Sequence, residues 1–309
     1  MLSAAGIDIS KRYLDCCLQQ SNRQFRLSND LEGVNTLIAC LFESAVTRVL
    51  IEATGGYEKL LRHELGKVGI EVVCINPRRV RNFAEAMGME AKTDKIDAQV
   101  LAEFAASLKV YKAAPFSVEH DQLSEQIKQR DRFVQHRDDD KRRCQQSSTP
   151  VVIDRYQAHI DFLQAQIKEI ESLIARTMKE MDDQTVKRLM AIKGIGLVTA
   201  SNLVCYLPEL GSLSRGKIAK LVGVAPLNRD SGEGSKPRYV RGGRGKIRRV
   251  LYMAAWVMVR YDTGFKARYE RLRERGKCAK VAIVACMRVL IVRLNAMLRD
   301  GTPWRSEVI

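Results

Sequence analysis

Four carboxylates in the first third of the chain stand in settings where they could do metal chemistry. Asp8 lies in Gly6-Ile7-Asp8-Ile9-Ser10, and Glu52 closes the apolar run Val49-Leu50-Ile51. Asp94 and Asp97 belong to Lys92-Thr93-Asp94-Lys95-Ile96-Asp97. Carboxylates that converge in space repel one another unless cations sit among them, and hard oxygen donors of this kind select Mg²⁺ or Mn²⁺. Two such ions about 4 Å apart can hold a phosphodiester and stabilise both its entering and its leaving oxygen. Each acid also has an ordinary reading taken singly: Asp97 as a solvated helix residue, Glu52 as a cap or surface ion pair. Asp15, Glu58 and Glu103 compete for the same role on spacing alone.

The elements that must position these acids alternate between two periods. Residues 4–27 read as extended, a short antiparallel ribbon in which Ile7, Ile9, Tyr13 and Leu14 are separated by polar positions. Val34, Leu37, Ile38, Leu41 and Phe42 follow helical spacing, and residues 48–52 form a short apolar strand that ends in Glu52. Residues 57–68 are expected to be helical, residues 71–76 a strand closed by Pro77, and residues 78–86 helical again. Thr93 is a candidate N-cap for a helix continued by Val100, Leu101 and Phe104. At i and i+3, Asp94 and Asp97 then share one helix face. Strands followed by alternating helices and strands imply a mixed α/β sheet domain.

The pattern changes after residue 120. Tyr156, Ile160, Leu163, Ile167, Ile170 and Ile174 alternate in steps of four and three, the seam of a coiled coil. Ser147-Ser148-Thr149-Pro150 breaks the run, so two helices are expected, antiparallel to one another or paired with another protomer. A free-standing seam needs a partner, which argues for a homo-oligomer, a dimer or tetramer.

Charge is concentrated at the far end. The 309 residues carry a net charge of +16, but residues 186–309 hold 26 Lys and Arg against 8 Asp and Glu. A basic module attached to a near-neutral one points to a polyanion, and nucleic acid is the commonest. Residues 236–249 carry seven basic residues among glycines and Tyr239. Within this mainly helical region, Leu189-Met190-Ala191-Ile192-Lys193-Gly194-Ile195-Gly196 followed by a helix over 197–207 resembles a helix-hairpin-helix. Lys193 and the amides at Gly194 and Gly196 could then meet a phosphate; a plain helical turn with glycine caps is the alternative. Apolar runs such as residues 281–287 are shorter than the roughly 18 residues of a membrane span, so no membrane association is expected. No export signal is visible, and the eight cysteines form no C-x-x-C pair. The expected location is a bacterial or archaeal cytoplasm, at the nucleoid, with all eight thiols structural.

As a set, Gly6-Ile7-Asp8, Ile51-Glu52-Ala53-Thr54-Gly55-Gly56-Tyr57, Ile75-Asn76-Pro77 and Lys92-Thr93-Asp94-x-x-Asp97-Ala98-x-x-Leu101-Ala102 resemble the DEDD transposases of the insertion-sequence 110 family. A second block resembles the same family: Gly194-Ile195-Gly196, Gly223-Val224-Ala225-Pro226, Asp230-Ser231-Gly232 and Arg248-Arg249-Val250-Leu251-Tyr252-Met253. The resemblance implies an RNase H-like, RuvC-like α/β domain at residues 1–115, a helical coiled-coil connector at 116–185, and a mainly helical basic domain at 186–309. It implies that Asp8, Glu52, Asp94 and Asp97 bind Mg²⁺ or Mn²⁺ and that a serine, Ser231 by motif position with Ser235 its nearest rival, attacks DNA. It also implies a structured guide RNA that pairs with donor and target DNA, and a site shared between protomers. The partners are then double-stranded DNA and that RNA, met by Lys236, Arg238, Arg241, Arg244, Lys246, Arg248 and Arg249. Gly232, Gly234, Gly242, Gly243 and Gly245 would let the backbone approach the phosphodiester. Three other readings stay open: a Piv-type DNA invertase, which shares these blocks, a hydrolytic RuvC-like junction nuclease, and a nucleic-acid-binding scaffold with a decayed site, against which the presence of all four acids weighs.

Overall fold

A computed structural model describes residues 3–89, 94–107, 117–181, 184–226 and 239–304, with Asp94 and Lys95 described by their backbone alone. The chain divides into two compact units, Met1–Val118 and Glu119–Ile309.

The first unit is built on a five-stranded sheet of order β3-β2-β1-β4-β5. Strands β1 (Ala4–Ile9), β2 (Tyr13–Leu18) and β3 (Arg23–Ser28) form an antiparallel meander, so the expected ribbon has a third strand. Asn22 takes a positive φ of 51° in the turn before β3, a conformation asparagine tolerates. Strands β4 (Arg48–Glu52) and β5 (Glu71–Ile75) run parallel to β1. Parallel neighbours need crossovers, and helices α1 (Leu31–Glu43) and α2 (Lys59–Lys67) supply them. Asp30 starts α1 by accepting the Gly33 amide.

Alternation along the strands sorts side chains between two faces. Ala5, Ile7, Leu14, Cys16, Val49 and Ile51 pack with Leu37 and Leu41 of α1 and Leu61 and Leu65 of α2. On the other face Ala4, Leu50 and Val73 meet Val80 of α3 (Pro77–Ala86) and Leu101 and Phe104 of α4 (Asp94–Ser107). Asn76 caps α3, with Pro77 at the first helical position, where its missing N–H costs nothing.

The second unit begins with α5 (Val118–Gln146) and α6 (Pro150–Glu180). Their partners run in opposite order: Gln126 to Thr177 (3.0 Å), Arg130 to Glu171 (2.7 Å) and Asp140 to His159 (2.6 Å). The two helices are therefore an antiparallel pair. Ile160, Leu163, Ile167 and Ile174 are buried within the single chain, at 6% exposure or less. The seam thus finds cover in its own chain, and the argument from it to an oligomer falls away.

At its base, Leu123, Ile127, Ile174 and Met178 join a larger core formed with α7 (Gln184–Met190), α8 (Leu197–Tyr206), α9 (Arg215–Val222), α10 (Gly245–Tyr261), α11 (Thr263–Glu274) and α12 (Ala279–Asp300). By length and composition α12 would pass for a membrane span, against the expectation from its short apolar runs. Its Ile283, Cys286, Leu290, Ile291 and Leu294 are fully buried in this core, so it reads as a core helix. Buried Asn295 accepts the Gly211 amide and donates to the Leu213 carbonyl, fixing the loop between α8 and α9.

Candidate active site

Sheet register sets two of the four acids side by side. Parallel strands β1 and β4 pair through Ile7 and Ile51, and Asp8 and Glu52 are the next residue on each. By alternation both belong to the face on which Gly6 and Leu50 meet α4. Helix α4 lies tight against β1 because Gly6 has no side chain. A Cβ there would stand 2.2 Å from the Ala102 nitrogen and 2.3 Å from the Ala98 oxygen. Asp97 directly precedes Ala98, whose carbonyl packs on Gly6, so it belongs to the helical turn that meets β1. Asp8, Glu52 and Asp97 are each half-buried, and the Asp8 carboxylate accepts the Ile9 amide at 3.1 Å. Asp94 lies one turn earlier on α4; its side chain, like Thr93, is outside the described residues.

Two of the three competing acids have other work. Asp15 pairs directly with Asp8 across β1 and β2, yet its carboxylate is clamped by Arg26, Nε to Oδ1 at 2.8 Å and Nη2 to Oδ2 at 2.9 Å. Such a bidentate pair neutralises a carboxylate that would otherwise crowd Asp8. Glu58 accepts the Thr54 hydroxyl at 2.5 Å and the Gly56 amide at 2.8 Å, holding the loop after Glu52. Burial works against its charge, but the Thr54 and Gly56 hydrogen bonds bring its carboxyl below the usual range. Glu103 lies near Cys17, whose thiol is raised chiefly by burial. The remaining set, all carboxylate oxygens, matches Mg²⁺ or Mn²⁺ in donor chemistry. Among the described residues, no three His, Cys, Asp or Glu side chains are gathered tightly enough to hold an ion as they stand.

Three of the cysteines are poorly suited to nucleophilic chemistry. All eight are free, and burial pushes the thiols of Cys74, Cys205 and Cys286 up to about 11, away from the nucleophilic thiolate.

In the second unit, Ser231, Ser235, Lys236 and Arg238 lie outside the described residues, as do Gly232 and Gly234. The structure does fix what flanks them. Gly223 (φ 80°) caps α9, and a Cβ on it would stand 2.2 Å from the Gly242 oxygen. A Cβ on Gly243 would stand 2.3 Å from the Gly223 nitrogen, and the Arg244 amide donates to the Leu221 carbonyl. The chain before and after residues 227–238 is thus joined backbone to backbone beside the end of α9.

The cations expected to meet nucleic acid divide into two groups. Arg244 is engaged within the fold, donating to Glu209 at 2.5 Å and to the Tyr206 carbonyl at 2.8 Å. Arg248 donates to the Gly242 carbonyl and ties α10 to the preceding loop. Arg241 and Arg249 are exposed. Lys246 sits with its ammonium 4.4 Å from the Tyr206 ring centroid, and burial lowers its pKa. Sequence reasoning missed Tyr206: its hydroxyl is within 3.3 Å of the Ser124 hydroxyl, a contact spanning 82 residues that no local pattern announces. Burial pushes its phenol up to about 12. Lys193, Gly194 and Gly196 form the turn between α7 and α8, with Gly194 at φ 103° and Gly196 as the N-cap of α8. Tyr239 is exposed, and Tyr252 lies edge-on to Trp256 at 6.3 Å.

Comparison with known proteins joins both units. A family model described as "Transposase", of the DEDD type of IS110, matches residues 5–147. A second, described as "Transposase IS116/IS110/IS902 family", matches residues 186–270. Pilin gene-inverting proteins of Moraxella lacunata and Moraxella bovis are each 26% identical over 98% of both chains. The transposase for insertion sequence element IS1328 of Yersinia enterocolitica is 24% identical over 84% of this chain and 85% of its own.

Proposed function

We propose that this chain, which belongs to the insertion-sequence 110 family of transposases, cuts and rejoins DNA through a serine-DNA intermediate in a reaction that needs divalent metal and a guide RNA. The observation that carries the reading is the strand register that sets Asp8 beside Glu52 under the helix bearing Asp94 and Asp97. Mg²⁺ or Mn²⁺ held by these four would, when bound, neutralise the phosphodiester and stabilise its entering and leaving oxygens. Ser231 is the nucleophile. Its Oγ bonds to phosphorus as its proton leaves to solvent, and the displaced sugar oxygen takes up a proton and departs as a hydroxyl. Attack by another strand's sugar hydroxyl reverses the exchange and frees Ser231, so the phosphodiester energy is kept and no ATP is required.

Exposed Arg241, Lys246 and Arg249 hold the backbone, with Lys236 and Arg238 contributing from the serine segment. A surface that reads charge and helix shape suits a protein whose sequence choice is left to base pairing with RNA.

The test is a denaturing gel of protein, Mg²⁺, labelled element-end DNA and RNA transcribed from the element's flank. A protease-sensitive protein-DNA adduct is expected, dependent on RNA and lost in Ser231→Ala. Asp97→Asn should abolish cleavage while DNA binding persists. Free nicked DNA made equally well by Ser231→Ala would replace this reading with metal-dependent hydrolysis. Inversion is the second reading, favoured by the two pilin gene-inverting relatives that align over 98% of the chain. Adjoining DNA that encodes an invertible segment, with no noncoding element end, would select it.

A further inference from the structure

Helix α10 turns one face to the core and leaves a second, chemically mixed face open. Ile247, Leu251, Ala254, Ala255 and Met258 are buried. Lys246, Arg249, Met253, Val257 and Arg260 recur at steps of three and four on the opposite side, and all five are exposed. No carboxylate occurs in the seventeen residues of the helix. Where α10 meets α11 this face deepens into a groove of about 490 Å³ lined by Met253, Trp256, Val257, Arg260, Tyr261 and Lys266. Met253 is 60% exposed and Tyr261 62%. Apolar and aromatic surface left this open on a soluble fold marks an interaction site.

The charges around the groove select its occupant. Arg260 and Lys266 are part of its wall, and Lys193 reaches over the Tyr261 ring at 5.9 Å from the centroid. The turn that carries Lys193 is seated here: a Cβ on Gly194 would lie 3.3 Å from the Met258 sulfur and 3.4 Å from Val257. The nearest acid in sequence, Asp262, accepts the Phe265 amide as the N-cap of α11. Aromatic and thioether surface ringed by three cations complements a polyanion that carries flat rings. A duplex keeps its rings stacked inside, whereas a single strand offers them.

We propose that the α10–α11 groove takes an unpaired nucleobase from single-stranded DNA or RNA, stacked against Tyr261 and Trp256, with Lys193, Arg260 and Lys266 on its phosphates. This deepens the recombinase reading, since strand exchange and guide pairing both pass through unpaired nucleotides.

The chain has two tryptophans, Trp256 and Trp304, so Trp304→Phe leaves the groove residue as sole reporter. That variant is titrated with a twelve-nucleotide single-stranded DNA, RNA of the same sequence, the matching duplex, and heparin, a polyanion without bases. Single strands should quench Trp256 emission at saturation, and duplex and heparin should not; the tighter of the two single strands identifies the source of the base. Tyr261→Ala should weaken single-strand binding about ten-fold while duplex affinity stays within about two-fold, and Tyr261→Phe should bind like the parent. Equal quenching by heparin or duplex, or unchanged single-strand affinity in a folded Tyr261→Ala protein, overturns the proposal. Loss of the serine-DNA adduct with quenching intact would refute the recombinase reading alone, and the adduct with unquenched Trp256 would refute the groove alone.

Discussion

Replacing Gly6 with alanine tests the contact on which the acidic site depends. The added Cβ would meet the Ala102 nitrogen at 2.2 Å, and an ordinary contact begins at 3.4 Å. Helix α4 must therefore move away from β1 by about 1.2 Å, the difference between those distances. The atoms in the way are backbone, so no rotamer change relieves them. Two consequences follow, of separate origin. Overpacking of this kind costs about 3 kcal/mol, which for a unit of this size lowers the melting temperature by about 10 °C. Asp97 moves with the helix while Asp8 and Glu52 stay on the sheet, and a displacement near 1 Å at a reacting centre costs about 100-fold in rate. Thermal unfolding and metal-dependent strand cleavage read the two effects. Asp97→Asn separates them, because it should lose cleavage and keep its melting temperature. A Gly6→Ala protein that melts and cleaves like wild type would refute the placement of α4 against β1, and with it the assembly of the site.

Arg26→Ala leaves Asp15 buried opposite Asp8 without its bidentate partner; because Arg26 is half exposed, the expected cost is about 1–2 kcal/mol in urea unfolding, and an unchanged midpoint would deny the clamp a role. Ile167→Asp places a charge between α5 and α6 and should cost about 3 kcal/mol or more, lowering helicity and melting temperature at unchanged mass in light scattering. A lower mass with unaltered melting would return that face to an interface between protomers. Arg244→Ala and Arg249→Ala should part company. The first loses its Glu209 and Tyr206 partners and melts earlier with an intact salt dependence of DNA binding; the second melts normally and loses about one phosphate contact from the salt slope. Reversed results would exchange their roles.

Local chemistry is what the sequence by itself determined. Apolar alternation around Asp8, the apolar run before Glu52, the proline after Asn76 and the helical spacing at residues 34–42 each act within a few residues, and each produced the expected element. Lys193-Gly194-Ile195-Gly196 fell between two helices for the same reason: only glycine adopts φ 103° there without strain. The charge asymmetry was likewise complete in the composition, since it needs only a count.

Tertiary structure decided whatever depends on which distant groups meet. Asp15 looked as eligible as Asp8 until the strand register set Arg26 across from it. Arg244 looked like Arg249 until Glu209, 35 residues away, took its guanidinium. The seam on α6 showed that it needs cover, but periodicity carries no information about whether that cover is α5 or another chain. The α10–α11 groove belongs to the same class. Met253 and Tyr261 stand in the same apolar run as Leu251, Ala255 and Met258, and only the packing of those three inward shows that Met253 and Tyr261 are left exposed.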